Sequence, residues 1–413
     1  MKTIILTASL LIPFALVAAA DAPKGKKTIE KHDNGKTRAV GFTDNGMKTG
    51  PWTFFWTDGK TKQAEGVFTS DLRSGPWTFY HDTGAKKRAG SFANGTETGP
   101  WESWHENGKT SSRGSYDAGK QIGPWEFFGE SGSLSMKGSF EAGKKSGPWE
   151  SFFPSGTVKE RGSYLTNAKS GVWFAFNEDG APSSETSFEN GIQTGAWKEF
   201  FPSGKTKETG TFSSGMREGE FISWHENGQM KSRVRYTADK KDGPAEQWYP
   251  DGKFQTKGSY SQDQKTGSWV QNDKSGIVIA EGSFDAGKKS GVWTETDPSG
   301  LKASGRYENN RKAGVWRYTD ANGRLVKELS FAAGKLSGVS KFYENGVLSA
   351  EAEMTGLEDD PSFNGAYTSY YPNGKKKETG AYKMGDKHGE WQSYDENGNP
   401  SGAPVKWLMG SPY

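Results

Sequence analysis

Cysteine is absent from all 413 residues. That excludes disulfides, thiolate metal sites, a cysteine nucleophile and a lipidated cysteine anchor. Histidine is scarce, with five copies. Excess charge is nearly absent too: 53 basic against 50 acidic residues leaves a net +3. No global field is available to draw nucleic acid, so nucleic acid is disfavoured as a partner. Branched aliphatics are sparse, and beyond the N-terminus no apolar run approaches a membrane span. A mean hydropathy of −0.85 would suit a disordered chain, but an aromatic content of 13% does not.

What is abundant is glycine, at 56 residues, and tryptophan, at 16. Glycine turns between aromatic residues read as many short hairpins. At the N-terminus, Lys2, the apolar stretch Ile4 to Val17 and Ala18-Ala19-Ala20 before Asp21 predict a secretory signal over residues 1–20. The predicted location is periplasmic or extracellular. A membrane anchor is the alternative, but the run is short for a span and interrupted by Pro13.

An internal repeat organises the rest. A Gly-x-aromatic unit begins at fifteen glycines from Gly50 to Gly389, nearly always 24 residues apart. The intervals depart from this only at the start (25), before Gly314 (23) and before Gly365 (27). The first aromatic column runs through Trp52, Trp77, Trp101, Trp125, Trp149 and Trp173 to Trp391, broken at Ala245 and Ser340. A second column follows three residues later, as in Phe55, Tyr80, Trp104, Phe128 and Phe152. A third includes Phe68, Phe92, Tyr116, Phe140, Tyr164 and Tyr260. Between the second and third columns lie pairs such as Asp58-Gly59, Asn107-Gly108 and Asp251-Gly252, which predict a tight turn. A second glycine cluster, as in Ala142-Gly143-Lys144-Lys145-Ser146-Gly147, predicts a looser one.

One such hairpin cannot fold alone, so neighbours must cover its aromatics and pair its edges. The predicted fold is all-β: an elongated single-sheet array of antiparallel hairpins of about 24 residues, on the order of 140 Å long. Residues 21–49 are read as a degenerate repeat or cap, 50–398 as the fifteen repeats and 399–413 as a C-terminal cap, with Trp407 covering the last aromatics. The segment from Ala352 to Phe363 is expected to be irregular. The first two columns are an odd number of residues apart, which requires either a bulge or aromatics on both faces.

The unit Gly99-Pro100-Trp101, Trp104, Asn107-Gly108, Gly114-Ser115-Tyr116, Gly119-Lys120, Gly123-Pro124-Trp125 resembles the bacterial variant of the MORN repeat (membrane occupation and recognition nexus). The same pattern is found in YwqK-like antitoxins. The resemblance spans about residues 29 to 398, with departures at Ala245 and Ser340. It implies hairpins in an elongated sheet used for protein or membrane contacts, and it brings the antitoxin role as an alternative.

Few residues suggest chemistry. Asp58-Gly59-Lys60-Thr61 and Asn107-Gly108-Lys109-Thr110 look like the end of a phosphate loop, but Phe54 and Ser103 stand where that loop needs glycine. Trp104-His105-Glu106-Asn107-Gly108 recurs as Trp224-His225-Glu226-Asn227-Gly228, five units away, too far to share a metal. No nucleophile triad emerges. No catalytic residue, cofactor or metal is therefore assigned, and the chain is expected not to be an enzyme. The one candidate binding feature is a basic column two residues before the repeat glycine, occupied in ten of fifteen units. It includes Lys145, Lys169, Arg217, Lys241, Lys265, Lys289 and Lys312. It serves either edge protection and solubility or an anionic polymer or membrane surface. Exposed aromatics stacking on sugars or a partner chain are a further option. The expected function is an extracytoplasmic scaffold for a protein or envelope partner, with an antitoxin or immunity protein as the alternative.

Overall fold

The computed structural model describes residues 25–412, so the proposed signal at 1–20 lies outside the described residues. The described chain is all-β, with 33 strands and no helix. No helix there is long and apolar enough to cross a membrane. The chain divides into two compact units. The first runs to Pro182 and takes in Phe188–Ile192; the second holds Ser183–Ser187 and continues from Gln193.

Each unit is an antiparallel meander. In the first, every strand from Lys26–Lys31 to Ala168–Phe176 pairs only with its neighbours in sequence. In the second, the same holds from Ile192–Phe200 onward. Such a sheet grows by about 4.8 Å per strand and about 10 Å per hairpin.

The two turns exchange the roles expected of them. The tight one is the second glycine cluster. Glu141 pairs with Lys144 across Ala142 and Gly143, whose φ values are 48° and 84°. Two successive left-handed residues make the two-residue turn that matches strand twist. The Asn-Gly segment forms a longer loop. His105 N–H donates to the Lys109 carbonyl and Gly108 N–H to the His105 carbonyl, both within 3.0 Å. Only Gly108 (φ 80°) is left-handed there, which is a three-residue loop closed by a glycine bulge. Turn composition flags both sites, but the number of unpaired residues is set by strand register.

Register also resolves the odd spacing of the aromatic columns, by placing aromatics on both faces. Gly138 pairs with Trp149 and Ser139 with Ser146, leaving Gly147 and Pro148 as a bulge. From Trp149 to Phe152 the strand alternates normally, so the second column points to the opposite face. There Lys137 lies 5.5 Å over the Phe152 ring and bridges to Glu150 at 2.8 Å.

The segment from Ala352 to Phe363, expected to be irregular, is mostly strand, with only residues 357–360 outside. Strands Val347–Gly356 and Pro361–Tyr370 are joined across residues 357–360. At the C-terminus, Val405–Leu408 pairs with Asp386–Ser393, placing Trp407 opposite Gly389.

Candidate binding face

The tryptophan column builds one face of each meander. Trp149 is 2% exposed, although no second layer covers it. Its burial comes from neighbours on all sides, with the Phe127 ring stacked beside it at 6.3 Å. Below, it lies flat on Gly138 of the preceding strand, where a Cβ would stand 2.1 Å from Trp149 Cδ2. On either side stand third-column rings, Phe140 at 5.1 Å and Tyr164 at 5.9 Å, both edge-on. Above, Lys145 Nζ lies 4.4 Å from the ring centroid. The indole N–H donates to the Ser139 carbonyl at 3.1 Å. Aromatic quadrupoles favour this edge-to-face order, and a cation over the ring adds to it.

The pattern repeats within each unit. In the first, Phe68, Trp77, Phe92, Trp101, Tyr116 and Trp125 continue the same herringbone. In the second, Tyr260, Trp269, Phe284, Trp293, Tyr307 and Trp316 do so. The rings of this column are therefore spent on packing. Most tryptophans of this column are buried, so they are not the exposed aromatics that the sequence offered for stacking on sugars or a partner chain.

The basic column starts at the tight-turn end of each hairpin, and its side chains fold back over this face. Lys169 lies 4.1 Å over Trp173, Lys265 4.3 Å over Trp269, Lys289 4.4 Å over Trp293 and Lys312 4.2 Å over Trp316. Arg217 stands 4.1 Å over Tyr236, and Lys241 5.0 Å over Tyr260. At the Gly99 repeat, where Glu97 interrupts the column, Arg88 reaches over Trp101 at 4.1 Å and pairs with Glu97 at 2.5 Å. Position in the sequence missed this substitution because the cation comes from the neighbouring strand.

Partners divide the column. Lys169 pairs with Glu160, Arg217 with Asp239 (3.1 Å), Lys289 with Glu295 (2.8 Å) and Lys312 with Glu358 (2.7 Å). Lys145, Lys241 and Lys265 form no ion pair among the described residues. Burial pushes the ammonium groups of Lys145 and Lys265 below the usual lysine range. Neighbouring lysines add to this: Lys169 for Lys145, and Lys289 and Lys241 for Lys265.

The loops at the other end tie repeat to repeat. His105 Nε2 lies 3.0 Å from the Phe128 carbonyl, and His225 Nε2 2.9 Å from that of Trp248. Asn107 and Asn227 donate to the Glu130 and Pro250 carbonyls at 2.8 and 2.6 Å. The imidazoles are thus spent on the next hairpin, and the described residues hold no group of three or more His, Asp or Glu placed for a metal. At Asp58-Gly59-Lys60-Thr61 the N–H groups of Lys60 and Thr61 both donate to Asp58, at 2.9 Å. Hydrogen bonds from the Thr61 hydroxyl and these two amides hold the Asp58 carboxyl down at about 2. The loop closes on its own aspartate and does not cradle phosphate.

Fold and face together define a hairpin-repeat scaffold. Six segments match the family described as MORN repeat variant: 97–118, 145–165, 193–213, 217–238, 363–384 and 387–402. Each match opens at the column position two residues before a repeat glycine, and the matches support a MORN-repeat family. No curated protein matches the chain. Among solved structures, it is similar to a chain of "Crystal Structure of TcdB2-TccC3", at 10% identity over 93% of this chain and 24% of that one, with a TM-score of 0.16. A chain of "Crystal Structure of TcdB2-TccC3-Cdc42" matches at 10% identity over 93% of this chain and 27% of that one, with a TM-score of 0.15. The chain thus spans about a quarter of the length of those proteins, and so low a score carries no argument.

Proposed function

We propose that this chain is a non-catalytic, exported repeat scaffold that holds a protein or cell-envelope partner along its sheet. The observation that carries the reading is the spending of side chains. Most indoles of the tryptophan column and the loop imidazoles are consumed in holding strand to strand, and turn amides in closing their own loops. What remains for a partner is an extended surface repeated about every 10 Å, the kind of surface a repeat array offers. On it, the column cations Arg73, Lys145, Lys241 and Lys265 form no ion pair among the described residues, so an anionic partner surface fits them best. Export rests on the composition of residues 1–20. A second reading, a YwqK-like antitoxin or immunity protein, is favoured by the resemblance of the repeat.

Capture from an envelope extract at two salt concentrations tests this. A scaffold retains envelope polymer or several proteins, less at high salt. Retention of one protein at fixed stoichiometry favours the immunity reading. Retention of nothing at low salt refutes both.

A further inference from the structure

Each regular repeat builds a ring site from constant parts. The floor is the glycine eleven residues before the ring, as Gly138 is for Trp149 and Gly258 for Trp269. The acceptor for the ring N–H is the carbonyl ten residues before it, that of Ser139 or Ser259. The walls are third-column rings, and the roof is the column cation.

In the Gly243 repeat the site is built but its ring is missing. Ala245 stands in the tryptophan position and Val234, its cross-strand partner, in the glycine position. The acceptor position belongs to Arg235, and Tyr236 and Tyr260 are the third-column residues. Lys241 has not followed the change. Its Nζ lies 5.0 Å from the Tyr260 ring, the same distance as Lys145 Nζ from Tyr164 in a complete repeat. The result is a partly open cavity of about 80 Å³, lined by Val234, Lys241, Ala245, Tyr260, Lys265 and Trp269. Both of its lysines are column cations that form no ion pair among the described residues.

The other broken repeat shows that the chain can close such a gap. Ser340 also lacks the ring and is fully buried, against 5% exposure for Ala245. By the register of Glu328 with Lys341, Leu329 stands across from it, and Leu336, Ala352 and Met354 fill the surrounding core. Residues 357–360 then fold back, and Glu358 takes both the Lys312 ammonium and the Tyr318 hydroxyl. The Ala245 gap has no such cover.

We propose that the gap at Ala245 is a binding site for an aromatic ring bearing a carboxylate. The ring takes the vacant space beside Tyr260 and Trp269, and the carboxylate takes Lys241 and Lys265. An enclosed cavity of roughly 150 Å³ accommodates benzene. With Val234 on the floor, the guest here enters by one edge and stays partly in solvent. The same chemistry is offered by a free aryl carboxylate and by an aromatic side chain beside an acidic residue. The site belongs to this chain whatever its scaffold partner.

The test is ¹⁹F NMR on the full chain with 5-fluoroindole-3-acetate, uncharged 5-fluoroindole, and a blocked Glu-Trp-Glu tripeptide carrying 5-fluorotryptophan. Saturable shift and broadening are expected with the acetate, the tripeptide or both, which distinguishes the two sources. Fluoroindole should bind about tenfold more weakly. The pair Val234→Gly with Ala245→Trp restores the arrangement of Gly258 and Trp269 and should abolish binding while thermal stability is kept. Lys241→Gln with Lys265→Gln leaves the gap intact and should bring the acetate down to the affinity of fluoroindole. Binding of none of the probes overturns the proposal. So does undiminished binding in a folded Val234→Gly, Ala245→Trp variant, or in the double lysine variant.

Discussion

Trp149→Ala tests the account of what holds a hairpin in place. The indole is almost fully buried. Burying about 200 Å² at about 25 cal/mol/Å² is worth about 5 kcal/mol, and measured tryptophan truncations cost about 3–5 kcal/mol. This site belongs near the top of that range. The residue beneath is Gly138, which has no side chain to collapse into the space, and the edge-on contacts to Phe140 and Tyr164 go too. We therefore expect a loss of about 4–5 kcal/mol, confined to the neighbourhood because each strand pairs only with its neighbours. Native-state hydrogen exchange should show lost protection in Leu134–Glu141, Lys144–Phe152 and Val158–Leu165, with Lys288–Thr296 unchanged. Adding Gly138→Val copies the natural pair Val234 and Ala245, and should recover about 1–2 kcal/mol of the loss. Gly138→Val alone should be strongly destabilising, since its Cβ would meet the ring at 2.1 Å. Global loss of protection in Trp149→Ala, or a harmless Gly138→Val, would refute the reasoning.

Two further outcomes follow from the turns and the ion pairs. Ala142 sits at φ 48°, a conformation alanine disfavours and asparagine tolerates, so Ala142→Asn should raise stability by about 0.5–1 kcal/mol in urea unfolding. Glu295 is half-buried; burial raises its pKa, but hydrogen bonds from Lys289 and Tyr307, with the charges of Lys289 and Lys312, outweigh this and leave it below the usual glutamate range. A depressed carboxyl contributes stability that is present above its unfolded pKa and lost as pH falls through the folded one. Local protection around Lys288–Thr296 should therefore fall below about pH 4.5, and Glu295→Gln should flatten that dependence while lowering stability at neutral pH.

The 24-residue period, the aromatic columns and the glycine clusters are written in the chain, because each strand pairs with its neighbour in sequence and every local signal recurs in step. That made the all-β hairpin array legible, with the positions of both turns. Even the exchange at Ala245 is a sequence fact, since Val234 precedes it by the same eleven residues that separate Gly138 from Trp149. Its meaning depends on register, and register was not legible: it decides which turn is tight, that the second column faces away from the first, and that a glycine is the floor for a ring. The placing of the cations needed three dimensions as well. A lysine at a hairpin end reads as edge protection until its flexible side chain is seen folded over an indole. Nor did position along the chain show Glu358 reaching back to Lys312 and Tyr318. Composition and spacing set the repeat; side-chain reach between strands decided which repeats are complete, which gap the chain closes for itself, and which one it leaves open.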